Sequence, residues 1–321
     1  MIALLGASGY IGSAFVEALE RRGSKFVALS RGQLDYTRFS VLSAFLLENK
    51  PEFLINAAGY AGKPNVDACE AARAETLEGN VLLPLTIAHA CEVSGTPWGH
   101  VSSGCIYNGA KVLRGSEWEI ETDLAGGAFQ KRRLENPESI RGFDELDRPN
   151  FSFRSPPCSF YSGSKALAEE PPGGMGQCYL WRLRMPFDES DHPRNYLSKL
   201  QRYSMLYEST NSISHRGDFV RACLELWERR AAFGVYNMTN PGHVTTREVA
   251  QMIRRVLGIE REFKFFADDR EFYGSGVQAL RSNCILETRK LSAAGVRMRP
   301  VVDALAESLK RWQKMPALRA A

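Results

Sequence analysis

The sequence predicts a doubly wound α/β fold, in which helices cover both faces of a parallel sheet, together with a smaller α/β lobe. Short apolar runs alternate with amphipathic stretches through the first third of the chain. A glycine-rich turn follows the first of these runs. The 321 residues also exceed what one small core needs, which favours a large domain with a second lobe.

The first apolar runs are the predicted strands, and the stretches between them are the predicted helices. We expect strands at 2–5, 26–29, 53–56 and 98–102, and helices at 10–22, 38–48 and, as one long helix, 67–92. Later strands are expected at 179–183 and 235–238, with helices near 195–203, 217–230, 246–257 and 301–314.

Residues 108–159 interrupt this alternation. The segment is charged, contains Gly126-Gly127 and several prolines, and shows no clean period, so we expect a long insertion or lid. The helix that starts at Tyr161 is expected to be cut short by the Pro-Pro-Gly-Gly run at 171–174. Residues 316–321 are expected to form a loose tail.

Composition excludes several classes of protein. A net charge of +4 without a basic arm argues against nucleic-acid binding, and no apolar run approaches the ~20 residues of a membrane helix. The first residues show no basic region or cleavage site of a signal peptide. Seven cysteines without CxxC pairs or histidine partners argue against disulfides and metal sites and favour a reducing cytoplasm.

The glycine-rich turn indicates a dinucleotide site of Rossmann type. Gly6 permits a tight turn, Gly9 allows a pyrophosphate to approach the backbone, and Gly12 allows the helix to pack closely. The diphosphate would bind the free N–H groups at the positive end of the helix. A purely structural glycine turn is the alternative. The predicted cofactor contacts in this turn are Gly6, Ser8, Gly9, Tyr10, Ile11 and Gly12.

The end of the second strand indicates which cofactor is used. Ser30 and Arg31 stand where an acidic residue would select NAD, and no carboxylate occurs before Asp35. An arginine here suits the 2′-phosphate of NADPH. We therefore expect NADPH, with NADH as a second possibility; the alternative is that Arg31 is a solvated surface cation.

A YxxxK pair provides the predicted catalytic groups. Tyr161 and Lys165 lie one turn apart on one face of a helix, where the ammonium would lower the pKa of the phenol from ~10. Ser103 follows the fourth strand, at the sheet edge where ligands bind in such folds, and would hydrogen-bond a substrate carbonyl. The alternative is a chance pairing of Tyr and Lys.

Taken together, these motifs resemble those of the extended short-chain dehydrogenases. The resemblance rests on GASGYIG (6–12), INAAG (55–59), SSGCIY (102–107) and YSGSK (161–165). Within that family the chain is most similar to 4-keto-rhamnose reductases and to bifunctional 3,5-epimerase/4-reductases, through GKPNVDACE (62–70), RLRMP (182–186), HPRNYLSK (192–199), NMTNPGHVTTREV (237–249) and RSN (281–283). The similarity covers nearly the whole chain except 108–159.

The resemblance implies a fold, a catalytic set and a substrate class. Residues 1–178 would form the NAD(P)-binding domain, with 216–236 returning to it, and residues 180–215 and 238–321 would bind a nucleotide sugar. Ser103, Tyr161 and Lys165 would be catalytic, and Lys165 would also bind the nicotinamide ribose. Ala57, Ala58 and Gly59 would border the cofactor.

A second activity, epimerisation, is also indicated. Cys105 lies two residues after Ser103, so both side chains point to the same side if that stretch is extended. The resemblance implies that Cys105 is the acid and Lys199 the base of a 3,5-epimerase, with His192 as an alternative base. The competing interpretations are a buried apolar cysteine, a solvated lysine and a surface histidine.

The remaining predicted contacts belong to the substrate side, where arginine forks suit phosphate oxygens. Asp67 and Glu70 are expected to cap or solvate the helix that begins there. The predicted substrate contacts, several of them by resemblance only, are Lys63, Asn65, Arg184, Arg194, Asn195, Arg281 and Asn283.

Three functions stay open from the sequence. The first is NADPH-dependent reduction of a nucleotide-linked 4-keto-6-deoxy sugar coupled to C3/C5 epimerisation, and the second is 4-ketoreduction alone. The third is a non-enzymatic NADP-binding regulatory subunit on the same fold. A nucleotide sugar is the expected partner, and a homodimer is possible.

Overall fold

The computed structural model describes residues 1–170 and 176–312. Its strands, in chain order, are β1 Ile2–Leu5, β2 Phe26–Leu29, β3 Phe53–Asn56, β4 Trp98–Ser103, β5 Ala110–Arg114, β6 Glu117–Glu121, β7 Ile140–Arg141, β8 Cys178–Leu183, β9 Met205–Leu206, β10 Thr210–Asn211, β11 Gly234–Asn237, β12 Val244–Thr245 and β13 Lys264–Phe265.

The helices differ widely in length, and the shortest are single turns. In chain order the α-helices are α1 Tyr10–Arg21, α2 Phe39–Asn49, α3 Ala68–Ala71, α4 Arg73–Leu77, α5 Leu83–Ser94, α6 Gly127–Glu135, α7 Phe160–Ala168, α8 Tyr196–Arg202, α9 Arg216–Glu228, α10 Thr246–Leu257, α11 Asp269–Gly274, α12 Arg289–Ala293 and α13 Val301–Lys310.

A six-stranded parallel sheet in the order β11-β8-β4-β3-β1-β2 is the centre of the fold. Its strands are apolar on both sides because each face is covered: α1 and α9 pack together on one face, and α2 and α5 on the other. The strand order reverses between β1 and β3, as in other doubly wound sheets. The predicted fold class is confirmed.

The single helix predicted for 67–92 is wrong. The structure has α3, α4, a π-helical segment at Glu78–Leu82 and then α5. Pro84 has no N–H to donate, so the regular ladder cannot continue there, and the N–H of Leu83 instead reaches the carbonyl oxygen of Glu78. The widened turn directs Asn80 inward toward the carboxyl ends of the strands.

Residues 108–159 are also more regular than predicted. They contain a three-stranded sheet in the order β6-β5-β7, followed by loops that lead to α7, and α6 lies between β6 and β7. Ala110, Val112, Leu124 and Phe129 form a small core with Ile285. Buried and exposed residues alternate along β5, but the neighbouring β6 and α6 are mostly charged and exposed, so the segment as a whole shows no clear period.

A third large core lies away from the central sheet. It brings together Phe187, Leu197, Val249, Ile253 and Leu305, from the loop after β8 and from α8, α10 and α13. By contrast, α9 and β11 join the central sheet and its cores. We therefore propose to divide the molecule as the sequence indicated, with a smaller lobe built around this third core.

Two predicted features fall partly or wholly outside the described residues. Helix α7 ends at Ala168, before the Pro-Pro-Gly-Gly run at 171–174, which lies outside them. Helix α13 ends at Lys310, earlier than predicted, and the expected tail at 316–321 also lies outside. No helix within residues 1–170 and 176–312 is long and apolar enough to cross a membrane.

Candidate active site

The glycine turn between β1 and α1 has the geometry of a dinucleotide cradle. Gly6 has φ +76°, and a Cβ there would lie 2.5 Å from the backbone nitrogen of Ala58. A Cβ on Gly12 would lie 2.0 Å from the carbonyl oxygen of Gly6, so the first turn of α1 packs directly on the loop. Gly9 is exposed and is the N-cap without a side-chain cap, which leaves the first N–H groups of α1 for an anion.

Beside this cradle, the loop after β2 presents the residues expected to select the cofactor. Ser30 and Arg31 are both exposed. The Ser30 hydroxyl donates to the Gln33 side chain at 2.8 Å, whereas Arg31 forms no ion pair with a described residue. The guanidinium of Arg31 is therefore free to meet an anionic group.

Ser103, Tyr161 and Lys165 converge at the carboxyl end of β4. Helix α7 starts at Ser159, whose hydroxyl accepts the N–H of Ser162 at 3.1 Å, and this cap sets the helix so that Tyr161 faces Ser103. The Ser103 side chain is a close neighbour of the Tyr161 hydroxyl and favours its ionised form. Lys165 is 5% exposed, and its ammonium lies 6.0 Å from the centre of the Tyr161 ring.

The protonation of this pair differs from the expectation. Burial raises the pKa of Tyr161, as do the neighbouring thiols of Cys105 and Cys69. Burial also lowers the pKa of Lys165. The expectation that Lys165 lowers the tyrosine pKa is therefore not met, because the effect of burial is larger. A phenol that keeps its proton suits an acid.

Lys165 lies between the loop after β3 and the π-helical segment. A Cβ on Gly59 would be 3.5 Å from its amine and 3.3 Å from the Asn80 amide oxygen, so a side chain there would press on Asn80. Asn80 also binds both backbone groups of Tyr60 and donates to Ser164. Ala57 and Ala58 precede Gly59 and border the same crevice.

Cys105 lies in a 3-10 turn, Gly104–Ile106, and not in an extended strand as expected. Its N–H donates to the Ser103 hydroxyl at 3.2 Å, a bond that closes the turn. The turn nevertheless keeps the Cys105 thiol within hydrogen-bond reach of Ser103 and Ser162. Burial raises the pKa of this thiol, so it is protonated at neutral pH.

Lys199 is on α8, on the smaller-lobe side. Burial lowers the pKa of its amine, and together with the guanidinium groups of Arg194 and Arg281 it brings the pKa to about 8. Among the described residues, no acceptor pairs with this amine. Arg194 also lowers the pKa of Tyr161, so Lys199 and Tyr161 both lie near this one arginine.

His192, the alternative base, makes structural contacts with Arg194 and Tyr10. Its Nδ1 accepts the N–H of Arg194 at 3.0 Å, and its ring stacks on Tyr10 with centroids 4.5 Å apart. Burial lowers its pKa. These contacts favour Lys199 over His192 as the base.

Some predicted substrate contacts line the cleft, while others are bound by internal partners. Lys63 is exposed and Arg194 and Asn283 are half-buried, whereas Asn65 caps the N–H of Asp67. Arg184 is 3% exposed; it binds Asn211 and Ser282, and its Nε has no partner among the described residues.

Three predicted roles on this side are changed by the structure. Asn195 is fully buried and uses its amide on Asp188 and Ser190, so it holds the loop before α8. Asp67 does not cap a helix but accepts both terminal nitrogens of Arg281, at 2.9 Å each. Glu70 accepts the N–H of Phe160 at 2.7 Å, which fixes the start of α7. A sequence pattern cannot show such distant partners.

Comparison with known proteins identifies the family. The chain is 30% identical over 303 residues to the bifunctional dTDP-4-dehydrorhamnose 3,5-epimerase/dTDP-4-dehydrorhamnose reductase of Arabidopsis thaliana, across 94% of this chain and 90% of that protein. The chain belongs to the dTDP-4-dehydrorhamnose reductase family. Residues 1–145 also match the family model described as the RmlD substrate binding domain.

The chain is also similar to a second curated relative, and it shares its fold with two solved structures. A trifunctional Arabidopsis UDP-glucose 4,6-dehydratase/UDP-4-keto-6-deoxy-D-glucose 3,5-epimerase/UDP-4-keto-L-rhamnose-reductase is 31% identical, and the chain spans 41% of its length. A UDP-rhamnose synthase from Acanthamoeba polyphaga mimivirus superposes with a TM-score of 0.78 at 23% identity, over 97% of this chain and 99% of that one. A Bacillus anthracis dTDP-4-dehydrorhamnose reductase in complex with NADP superposes with a TM-score of 0.73 at 18% identity, over 97% of each chain.

Three site features of this reductase-family chain escaped the sequence analysis. Cys69 and Cys158 both lie near Cys105, and Cys69 is also near Tyr161. Asp188 and Arg216 form a buried ion pair, 2.9 Å apart, beneath the loop that leads to α8. No spacing rule connects residues so far apart in the chain.

Proposed function

We propose that the protein reduces the C4 ketone of a nucleotide-linked 4-keto-6-deoxy sugar with NADPH and also epimerises C3 and C5, giving an L-rhamnose-type nucleotide sugar. The observation that carries the proposal is the convergence of two chemical sets on one cleft. Ser103, Tyr161 and Lys165 form the first set, and Cys105 and Lys199 form the second.

The residues around the glycine turn fit the cofactor. The cradle is closed to any side chain at Gly6 and Gly12, Gly59 leaves room beside Lys165, and Arg31 is free for a 2′-phosphate. We expect Gly9, Tyr10 and Ile11 to bind the diphosphate through backbone N–H groups, and Lys165 to bind the nicotinamide ribose. When bound, NADPH supplies the hydride for C4.

Reduction needs a proton at the C4 oxygen. The Ser103 hydroxyl would orient the ketone, and Tyr161 would give its proton to the developing alkoxide. Lys165 would stabilise the phenolate left behind, since an ammonium favours a nearby negative charge. The raised pKa of Tyr161 supports this role because the phenol stays protonated until the alkoxide forms.

Epimerisation needs a base and an acid on opposite faces of the sugar. The 4-ketone acidifies the hydrogens at C3 and C5, because the carbanion is stabilised as an enolate. Lys199, with a pKa of about 8, is partly neutral at pH 7 and would remove the proton. The protonated Cys105 thiol would return one from the other face.

The test is reduction in heavy water. The purified chain is incubated with UDP- or dTDP-4-keto-6-deoxyglucose and NADPH, and the product is followed by NMR and mass spectrometry. We expect a reduced L-sugar with deuterium at C3 and C5. Cys105→Ala and Lys199→Met should lose the deuterium, while Cys158→Ala, which alters another half-buried thiol, should keep it.

The outcomes separate the open functions. Reduction without deuterium would leave a 4-ketoreductase and make Cys105 structural. Tight NADPH binding without reduction of either sugar would contradict the enzymatic proposal and favour a regulatory NADP-binding protein.

A further inference from the structure

The segment 192–194, named here the cross-lobe strap, connects the smaller lobe to the glycine turn. The His192 ring lies parallel to that of Tyr10, with 4.5 Å between centroids and 9° between planes. Tyr10 is the first residue of α1 and so part of the cofactor cradle. Burial and the nearby Asp188 carboxylate raise the pKa of its hydroxyl, and the Arg216 guanidinium lies 4.9 Å from the centre of its ring.

The other end of the strap contacts the loop after β3. The Arg194 guanidinium donates to the carbonyl oxygens of Ala61 and Gly62, at 3.3 and 2.5 Å. Its backbone N–H donates to His192 Nδ1 at 3.0 Å, which makes the two residues one unit. The strap therefore contacts the loops that follow β1 and β3, two neighbouring strands of the central sheet.

The strap leads directly into α8, which carries Lys199. Asn195 caps this helix through Leu197 and donates to Asp188 at 2.8 Å. Asp188 pairs with Arg216, and Arg216 Nε donates to the Tyr10 carbonyl oxygen at 2.6 Å. The start of α8 is thus connected to the glycine turn twice, once through a ring stack and once through a buried ion pair.

We propose that the cross-lobe strap is a positioning device for the Lys199 amine, which it holds against the cofactor cradle for proton transfer at the sugar ring. The inference rests on the proposed epimerase function. A lysine has a flexible four-carbon stem, so its amine is placed well only if the helix that carries it is fixed. Because Lys199 is on the smaller lobe, only contacts that cross the cleft can set its distance from the cradle.

Substitutions at His192 separate the two contacts of the strap. His192→Phe keeps a ring for Tyr10 but removes the acceptor for Arg194, His192→Asn keeps an acceptor but removes the ring, and His192→Leu removes both. His89→Leu is the matched control, because His89 stacks on Phe39 in the same way, at 4.3 Å, but on the outer face of α5.

Three quantities are measured for each variant. They are deuterium exchange at C3 and C5 of the 4-keto sugar with NADP⁺ present, reduction of the already epimerised 4-keto-L-sugar by NADPH, and the Kd for NADPH. For His192→Leu we expect exchange to fall at least tenfold, with reduction and the Kd within threefold of the wild type. His192→Phe and His192→Asn, which each keep one contact, should lose less exchange than His192→Leu. His89→Leu should match the wild type in all three quantities.

The pH dependence of deuterium exchange at C3 and C5 distinguishes a change in the pKa of Lys199 from a general loss of stability, because a loss of stability would not shift the pH at which exchange rises. The described charged groups near Lys199 are Arg194 before α8 and Arg281, which pairs with Asp67. His192→Leu frees the backbone N–H of Arg194, so we expect the Arg194 guanidinium to move away from Lys199. The pKa of the Lys199 amine would then rise, and the increase of exchange with pH should occur at higher pH.

The outcomes also distinguish the strap from the function on which it rests. If the wild-type chain shows no exchange, Lys199 is not a base and both proposals are overturned. If it exchanges and His192→Leu exchanges within twofold of it, only the strap is overturned. Equal losses in exchange and reduction would also overturn it, since they indicate general disruption. Should His192→Leu fail to fold, the Phe and Asn variants are judged by the same criteria.

Discussion

The hydroxyl of Tyr161 is the group on which the proposed reductase chemistry depends, and its environment would favour one direction of proton transfer. Burial and two thiols keep the phenol protonated, whereas the neighbouring Ser103 side chain favours its ionised form. A protonated phenol beside a ketone is arranged to donate. The same environment makes the phenolate a poor resting state, which is where Lys165 becomes necessary.

Tyr161→Phe is expected to reduce the rate of NADPH-dependent reduction by about 10²- to 10⁴-fold, the usual contribution of a positioned general acid. The Kd for NADPH should stay within a few-fold, because the ring remains. Steady-state kinetics and cofactor titration measure the two effects. Tyr236→Phe, which removes a buried hydroxyl bound to the Ala232 carbonyl oxygen, is the control and should keep full activity.

The pH dependence of deuterium exchange should report Lys199. The base works only as the neutral amine, whose pKa is about 8. Exchange is therefore expected to rise about tenfold per pH unit below pH 8 and to level off above it. A plateau that already begins near pH 6 would contradict the assignment and indicate a group of lower pKa. Lys199→Met should abolish the pH-dependent part.

The sequence predicted single residues well where a short motif carries the geometry. Tyr161, Lys165 and Ser103 were placed by a helical spacing and by a strand end. Asn195 and Asp67 were misjudged because their partners, Asp188 and Arg281, are selected by tertiary packing. A local pattern contains no information on a bond to a residue 214 positions away.

At the level of elements, the first turn of α1 is the most constrained part of the site. The Gly12 backbone packs on the Gly6 carbonyl with no room for a methyl group. The consequence reaches the cofactor, since any shift of α1 moves the N–H groups that would bind the diphosphate.

Gly12→Ala is accordingly expected to weaken NADPH binding at least tenfold and to lower the free energy of unfolding by about 1–3 kcal/mol, the usual cost of overpacking. Fluorescence titration and urea unfolding measure these effects. Gly127→Ala is a matched control, because an added Cβ at that first residue of α6 meets nothing within 4 Å. It should be neutral or slightly stabilising. Equal behaviour of the two variants would contradict the packing argument.

Strands and helices could be predicted from the sequence where a local pattern of residues determines them, and were missed where a particular hydrogen bond does. The strands and helices around the central sheet follow from hydrophobic period. The π-helical segment at Glu78–Leu82 and the 3-10 turn at Gly104–Ile106 were not foreseen, because each depends on a hydrogen bond that competes with the regular ladder. The three-stranded sheet after Asn108 was missed because charged outward faces outnumber its few core residues.

For the whole molecule, a buried ion pair joins the end of α7 to the central sheet. Glu169 and Arg182 are 6% and 5% exposed in their side chains, and Glu169 also accepts the Ser102 hydroxyl at 2.6 Å. Arg182 in addition donates to the Tyr107 hydroxyl at 3.0 Å. The helix that carries the catalytic pair is therefore fixed at both ends, by Ser159 and by this cluster.

Glu169→Gln should destabilise the protein by about 3–5 kcal/mol, because it leaves the Arg182 charge buried without a counter-charge. Urea unfolding measures the loss. Glu135→Gln breaks the exposed pair with Lys131 and should change the free energy of unfolding by less than about 0.5 kcal/mol. If both variants were equally stable, the buried pair would not hold α7.

The order of strands in the central sheet has a consequence for the chain as it is synthesised. Strand β4 pairs with β3 on one side and with β8 on the other, and the whole of the three-stranded sheet is translated between β4 and β8. Until β8 leaves the ribosome, β4 is an open edge that carries Trp98, a residue only 1% exposed in the finished fold. A nascent chain in which residue 178 has not yet left the ribosome is thus expected to be prone to aggregation and to need a chaperone. Once residue 183 has emerged, β8 can pair with β4 and close that edge.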